Sequence, residues 1–134
     1  PIDQVSYMFV NRIEAAQLTQ MTENTPPETL IRAAAEKMPN AEIILTLGSE
    51  GALHCCNNVI THSEAFKVSP VDTTGAGDYF AAGFLYGLTC GYSLEKCAKI
   101  GSILSGNVIQ VIGTTISPER WDEIKLNINK VLAE

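Results

Sequence analysis

The sequence predicts an α/β fold, because short apolar strand-like runs alternate with helical segments. Residues 5–10 and 43–47 are mostly aliphatic or aromatic, which is typical of strands buried in a parallel sheet. A helical segment separates these two runs, and the end of the chain predicts paired helices. This order is that of a layered α/β domain. We expect one domain over residues 1–134, a length that suffices for a hydrophobic core.

Capping residues set the expected boundaries of the first helices. Residues 11–21 have helical character. In the next helix, Thr25 is the expected cap, Pro26 the first helical residue and Glu28 the completion of a capping box. We expect this second helix to end near Met38, because Pro39 cannot continue it.

Turn residues and apolar content define the elements that follow. Residues 52–56 predict a strand, and Asn57 and Asn58 predict a hairpin turn after it. Residues 79–92 are apolar on nearly every face, so we expect a fully buried helix there. Ser93 and Ser117 are expected to cap the two helices that come last.

Composition and charge argue against several classes of protein. The net charge is −6 and Lys and Arg do not cluster, so nucleic acid is not an expected partner. No apolar run is long enough to span a bilayer, and the start of the chain is not a signal peptide. The four cysteines are expected to be reduced thiols. We therefore expect a cytoplasmic protein with no membrane partner, and a longer polypeptide, because the chain lacks an initial Met.

The most informative segment is residues 72–78, which we call the signature loop. Its glycines allow the backbone to approach a ligand closely, because they carry no Cβ. The amides of Gly75, Ala76, Gly77 and Asp78 are expected to be unpaired donors at the start of a helix. Such a helix start binds anions, and phosphate is the usual one.

The carboxylate of Asp78 needs a separate explanation. It would repel a bound phosphate, so it is better explained as the base that takes a proton from a hydroxyl attacking that phosphate. The alternative is an ordinary strand-to-helix turn in which Asp78 stabilises the helix dipole.

Two weaker patterns precede the signature loop. Residues 46–51, which we call the glycine turn, follow a strand at a position where α/β sheets bind ligands, although an ordinary hairpin turn is the alternative. Asn11 and Glu14 lie one helical turn apart after the first strand. They could hold Mg²⁺ through water molecules, or they could simply cap a solvated helix start.

Together these residues resemble the PfkB carbohydrate kinases, the ribokinase-like family. Residues 72–84 resemble the second signature of that family, Asn11 and Glu14 resemble its Asn-x-x-Glu motif, and the glycine turn resembles its nucleotide loop. The resemblance implies a ribokinase-like three-layer α/β/α sandwich, of which this chain is the C-terminal, nucleotide-binding portion. Residues 97–119 are similar to adenosine kinases within the family.

The resemblance also implies a role for each candidate residue. Asp78 is the implied general base, and the amides of Gly75, Ala76 and Gly77 are the implied anion hole for the transferred γ-phosphoryl group. The implied nucleotide-binding residues are Thr46, Gly48 and Gly51 for the phosphates and ribose of ATP, and Ser102 for its adenine. Asn11 and Glu14 are implied to organise Mg²⁺. Asp72, Thr74 and Ser117 fall near a monovalent-cation site, for K⁺, that some members have.

The expected activity is transfer of phosphate from ATP to a hydroxymethyl group of a sugar or nucleoside. A non-catalytic, nucleotide-binding regulatory module of the same fold is the alternative. ADP-dependent sugar phosphorylation is a third reading, which the signature loop favours less. The chain alone is expected to be inactive, because the residues that contact the acceptor lie in the first half of family members. A homodimer is left open as the assembly.

Overall fold

In the computed structural model, which describes residues 1–134, the chain begins with a four-stranded sheet and continues with a helical region. These two parts form separate compact units, Pro1–Ser63 and Glu64–Glu134. The α/β class expected from the sequence is confirmed. The elements of the first unit are β1 (Tyr7–Asn11), α1 (Arg12–Thr19), α2 (Pro27–Lys37), β2 (Glu42–Thr46), β3 (Ala52–Cys56) and β4 (Val59–Ser63).

The sheet has the order β1-β2-β3-β4 and is mixed. β1 and β2 run parallel, which requires the crossover through α1 and α2, and β3 and β4 add antiparallel strands. Both helices pack on this sheet. The buried centre of β2 confirms the expected core strand; its fully buried residues are Ile43, Ile44 and Leu45.

The hairpin between β3 and β4 follows its sequence prediction. Asn57 and Asn58 both have positive φ, at 49° and 64°. Two successive left-handed residues are the requirement of the two-residue hairpin turn, and Asn tolerates that conformation better than most residues. The turn places β4 beside β3 at the edge of the sheet.

The start of α2 differs from its prediction. The helix begins at Pro27, Pro26 is the capping residue, and no side chain caps the helix. The expected capping box from Thr25 to Glu28 is therefore wrong. The physical reason is Pro27, because a residue before proline is excluded from helical conformation, and Pro26 has an extended ψ of 137°.

The second unit contains three helices, α3 (Ala76–Thr89), α4 (Leu94–Val108) and α5 (Pro118–Ala133). The predicted caps of α4 and α5 are confirmed, since the hydroxyls of Ser93 and Ser117 accept hydrogen bonds from the amides of Lys96 and Arg120. α3 packs closely on α4 through small residues. A Cβ on Gly83 would lie 2.9 Å from the Cα of Gly101, so glycine sets this helix–helix distance.

The expectation that α3 is fully buried is wrong. Phe80, Gly83, Phe84 and Gly87 form a buried stripe, but Leu85 and Tyr86 are 44% and 51% exposed. The buried positions follow the i, i+3, i+4, i+7 spacing of one helix face. The composition of α3 shows apolar residues on every face of the helix, but it does not show which of those faces are buried.

Candidate functional site

The structure gathers the candidate residues of the first unit at one edge of the sheet. Asn11 and Thr46 are register partners at the ends of the parallel strands β1 and β2. The hydroxyl of Thr46 donates to the carbonyl of Val10 at 3.3 Å, which joins the two strand ends. In α/β sheets the carboxyl ends of parallel strands form the usual ligand-binding edge.

Asn11 and Glu14 form a capping box at the start of α1. The Asn11 Oδ1 accepts from the Glu14 amide, and the Glu14 Oε2 accepts from the Asn11 amide, both at 2.9 Å. This is the capping alternative that the sequence left open. One exposed Glu14 carboxylate oxygen has no hydrogen-bond partner within the chain and is available to a cation. No group of three or more His, Cys, Asp or Glu residues in the chain could hold a metal ion.

The glycine turn is closed by its own backbone. Leu47 donates to the carbonyl of Gly51 at 2.8 Å, and Gly51 donates to the carbonyl of Gly48 at 3.1 Å. Gly48 and Gly51 both have positive φ, at 59° and 92°, which favours glycine at both positions. A Cβ on Gly48 would meet no atom within 4 Å, so the surface beside it is open.

Glu50 fastens the glycine turn to its neighbours. Its carboxylate pairs with Arg12 of α1 at 3.3 Å, and its carbonyl accepts a hydrogen bond from His62 of β4 at 2.7 Å. Because a carbonyl can only accept, the His62 Nε2 carries a proton in this contact. Neither contact could be predicted from the sequence, since the partners are 38 and 12 residues away.

The candidate residues of the second unit begin with Gly75, the capping residue of α3. Gly75 has a φ of 78°, and a Cβ there would lie 2.9 Å from the Cγ2 of Thr114. Both the backbone conformation and the neighbour therefore require glycine. Gly77 is different, because it is helical and a Cβ there would meet nothing within 4 Å. It leaves open space at the helix start.

The amides at the start of α3 differ from the predicted set in one position. Ala76 donates to the carbonyl of Thr73 at 3.2 Å, so the expectation that its amide is unpaired is wrong. The four-residue turn from Thr73 to Ala76 closes before the helix begins and uses that donor. The amides of Gly75, Gly77 and Asp78 have no hydrogen-bond partner within the chain. The Asp78 side chain is exposed and likewise has no such partner.

Asp72 anchors the signature loop. Its Oδ1 accepts from the amide and hydroxyl of Thr74 at 3.0 and 2.6 Å, and its Oδ2 accepts from the amide of Gly113 at 2.8 Å. These bonds, the Thr74 hydroxyl first, lower the pKa of Asp72 to about 2. Of the three residues expected near a cation site, Asp72 and Thr74 are brought together. The hydroxyl of Ser117 instead caps α5.

Further contacts join the signature loop to the connection between α4 and α5. The amides of Val71 and Asp72 both donate to the carbonyl of Ile109, at 2.7 and 3.1 Å. The hydroxyl of Tyr79 donates to the carbonyl of Thr114 at 2.6 Å. Sequence reasoning missed Tyr79, because an aromatic residue in an apolar helix carries no signal that its hydroxyl reaches a specific carbonyl.

Ser102 lines a cavity of about 290 Å³ in the second unit. The residue is buried, and its hydroxyl donates to the carbonyl of Glu64 at 3.4 Å. Apolar side chains including Phe66 and Ile103 form most of the wall, with Lys99 and Lys130 also contributing. A mostly apolar cavity with a few polar groups is the usual form of a small-molecule site.

Comparison with known proteins places this geometry in a family. The family model described as "pfkB family carbohydrate kinase" matches residues 1–121. A ribokinase of Lactococcus lactis is 30% identical over 130 residues, which are 97% of this chain and 41% of the relative. The chain spans about two fifths of the length of the curated relatives it matches.

Solved structures agree with this assignment. The adenosine kinase of Sinorhizobium meliloti has a TM-score of 0.78 at 32% identity, over 90% of this chain and 36% of its own. A ribokinase of Arabidopsis thaliana, complexed with ribose and ATP, has a TM-score of 0.78 at 25% identity, over 99% of this chain and 42% of its own. The ribokinase-like fold expected from the sequence is thereby confirmed.

None of the helices has both the length and the apolar character needed to cross a membrane.

Proposed function

Because the chain belongs to the pfkB family of carbohydrate kinases, we propose that the protein containing it is an ATP-dependent kinase. The reaction proposed is transfer of the γ-phosphoryl group of ATP to a hydroxymethyl group of a sugar or nucleoside. A ribokinase and an adenosine kinase are both similar to this chain, which supports a ribose-containing acceptor.

The observation that carries the proposal is the start of α3. Three unpaired amides, those of Gly75, Gly77 and Asp78, lie within one helical turn of a carboxylate that has no partner. The amides and the helix dipole attract a bound anion such as phosphate, whereas the negative carboxylate of Asp78 repels it. A site that only bound phosphate would gain nothing from this carboxylate, whereas a phosphoryl-transfer site needs a proton acceptor there.

The proposed mechanism assigns one task to each group. The acceptor hydroxyl attacks the γ-phosphorus, the bond between that phosphorus and the bridging oxygen breaks, and ADP leaves. The carboxylate of Asp78 takes the hydroxyl proton. The amides of Gly75 and Gly77 donate to the phosphoryl oxygens, where charge is spread in a loose transition state. The Ala76 amide joins them only if its bond to Thr73 opens.

Two sets of residues are proposed to contact the nucleotide. In the glycine turn, Gly48 is exposed and is proposed to contact the phosphates and ribose, together with the half-buried Thr46 and the buried Gly51. The cavity at Ser102 offers a mostly apolar wall of a size suited to a purine base.

Mg²⁺ and K⁺ are proposed ions. The free carboxylate oxygen of Glu14 fits a Mg²⁺ that keeps most of its water ligands, and Mg²⁺ would neutralise charge on the phosphates when bound. For K⁺, Asp72 and Thr74 are together but already hydrogen-bonded, and Ser117 caps α5. The fit of these residues to K⁺ is therefore weaker than that of Glu14 to Mg²⁺.

The test is ADP release from Mg·ATP by the complete polypeptide, measured with adenosine, ribose, fructose and further nucleosides and sugars. We expect turnover with one acceptor class. Asp78→Asn should lower kcat on the order of 10²–10⁴-fold, because it removes the proton acceptor and keeps the side-chain shape. Asp122→Asn, an exposed aspartate on α5, is the matched control and should leave kcat unchanged.

The outcomes separate the proposal from its alternative. Near-normal turnover in the Asp78→Asn variant would overturn the role of Asp78. Binding of ATP without turnover on any acceptor would instead indicate the regulatory module.

A further inference from the structure

Tyr79 follows the proposed base directly in the sequence, and its hydroxyl forms a hydrogen bond with a residue outside α3. The hydroxyl donates to the carbonyl of Thr114, 35 residues away, at 2.6 Å. This is a short hydrogen bond for a hydroxyl donor. The ring packs against the apolar cluster around Ile103, Leu104 and Ile116, so both ends of the side chain are fixed. A side chain held at both ends restricts the backbone that carries it.

The contact forms one part of a larger attachment. Thr114 is also the residue whose methyl group lies against Gly75, and the neighbouring Gly113 amide donates to Asp72. Residues 113–114 therefore contact the signature loop at its first residue, at its glycine cap and just after its last residue. Among these contacts, only the hydrogen bond of the Tyr79 hydroxyl comes from a residue in the first turn of α3.

From this geometry we infer that Tyr79 is a positioning residue that sets the place of the Asp78 carboxylate through its bond to Thr114. The inference rests on the proposed function, in which Asp78 is the base. Asp78 itself has no hydrogen bond to hold it, so its position depends on the backbone of the first turn of α3. Misplacement of a reacting group by about 1 Å can cost as much as 10²-fold in rate.

The test compares Tyr79→Phe with Tyr86→Phe in the complete polypeptide. Each substitution removes one hydroxyl from α3, but only that of Tyr79 reaches the Thr114 carbonyl, whereas Tyr86 lies on the exposed face of the helix. We expect Tyr79→Phe to lower kcat about tenfold, with KM for ATP and for the acceptor within about twofold. Tyr86→Phe should leave all three constants unchanged.

A loss of folded protein would also lower kcat, so two further readouts are needed. Displacement of the base should shift the acid limb of the kcat–pH profile along the pH axis, whereas a smaller active fraction only scales the profile. Hydrogen exchange at the amides of Tyr79 and Gly113, which are bonded to Gly75 and Asp72, should accelerate in Tyr79→Phe and not in Tyr86→Phe.

Unchanged kcat and unchanged exchange in Tyr79→Phe would overturn the inference, as would equal effects of the two substitutions. If the wild-type protein shows no turnover, the proposed function fails, and the exchange comparison alone decides whether Tyr79 holds the loop. The two failures are therefore distinguishable.

Discussion

The glycine turn at residues 46–51 and the signature loop at residues 72–78 each contain two glycines, but they are held in different ways. The glycine turn is closed by hydrogen bonds among its own backbone atoms, to which Glu50 adds contacts with Arg12 and His62, and both glycines have positive φ. The signature loop is held from outside, by residues 109–114. Only one of its glycines, Gly75, has positive φ.

This difference separates two uses of glycine. Gly48, Gly51 and Gly75 permit a backbone conformation, whereas Gly77 adopts an ordinary helical one and faces open space. A glycine in a helix destabilises it by up to about 1 kcal/mol relative to alanine. No contact or backbone conformation within the chain requires glycine at position 77. The proposed function explains this glycine, because a residue without a Cβ leaves space for a ligand.

Among the glycine substitutions, the largest expected effect is on activity and comes from Gly77→Ala. The added Cβ would occupy the space where the phosphoryl group approaches the amides, so kcat/KM should fall on the order of 10²-fold, the scale of losing one such donor. The melting temperature should stay the same or rise, because alanine favours helix. Steady-state kinetics and thermal unfolding on the complete polypeptide test both parts. A variant with normal kcat/KM would show that the space at Gly77 is not used.

The next effect is on stability and comes from Gly75→Ala. Positive φ and the contact with Thr114 both oppose the new Cβ, so the free energy of unfolding should fall by about 1–3 kcal/mol. Gly48→Ala is the matched control, with positive φ and no neighbour, and should cost about 1 kcal/mol. Adding Thr114→Ser removes the Cγ2 and should restore part of the loss in Gly75→Ala. Equal losses at Gly48 and Gly75 would contradict the role assigned to Thr114.

A smaller effect is expected on the pH dependence of stability, which should differ between the signature loop and the glycine turn. The pKa of Asp72 is lowered from 3.8 to about 2 by its hydrogen bonds, so the stability it contributes is complete above its unfolded pKa. That stability is lost as the pH falls through about 2. The glycine turn is closed by backbone bonds, which do not titrate, and the Glu50–Arg12 ion pair beside them is exposed, so its loss should change stability little. Hydrogen-exchange protection, corrected for intrinsic rates, should therefore decline at Gly113 and persist at Gly51 between about pH 4 and pH 2.

Asp72→Asn provides the control for that measurement. Its side-chain amide cannot accept from Gly113 and from Thr74 at once, so protection of Gly113 should be low at every pH. A pH-dependent loss that persists in this variant would show that another group controls the loop.

Much of the fold followed from local chemistry. Ser93 and Ser117 marked helix starts, Asn57 and Asn58 marked a hairpin, and the run at residues 43–47 marked a core strand. Each signal acts over a few residues, through a cap, a turn conformation or the pattern of apolar side chains. Residues 72–84 were sufficient to indicate the family, because that combination of glycines and acids is specific.

Other features depended on contacts between distant segments. The exposed face of α3 depends on which neighbours cover the helix, and its composition did not predict that. The Tyr79 hydroxyl and the Asp72 carboxylate have partners 35 and 41 residues along the chain. The Ala76 amide is a local exception, because the turn from Thr73 to Ala76 uses its donor before α3 begins. Sequence by itself determined the elements and the chemistry available at the start of α3. Tertiary structure decided what holds the loop and which face of α3 is buried, because those depend on where separate segments meet.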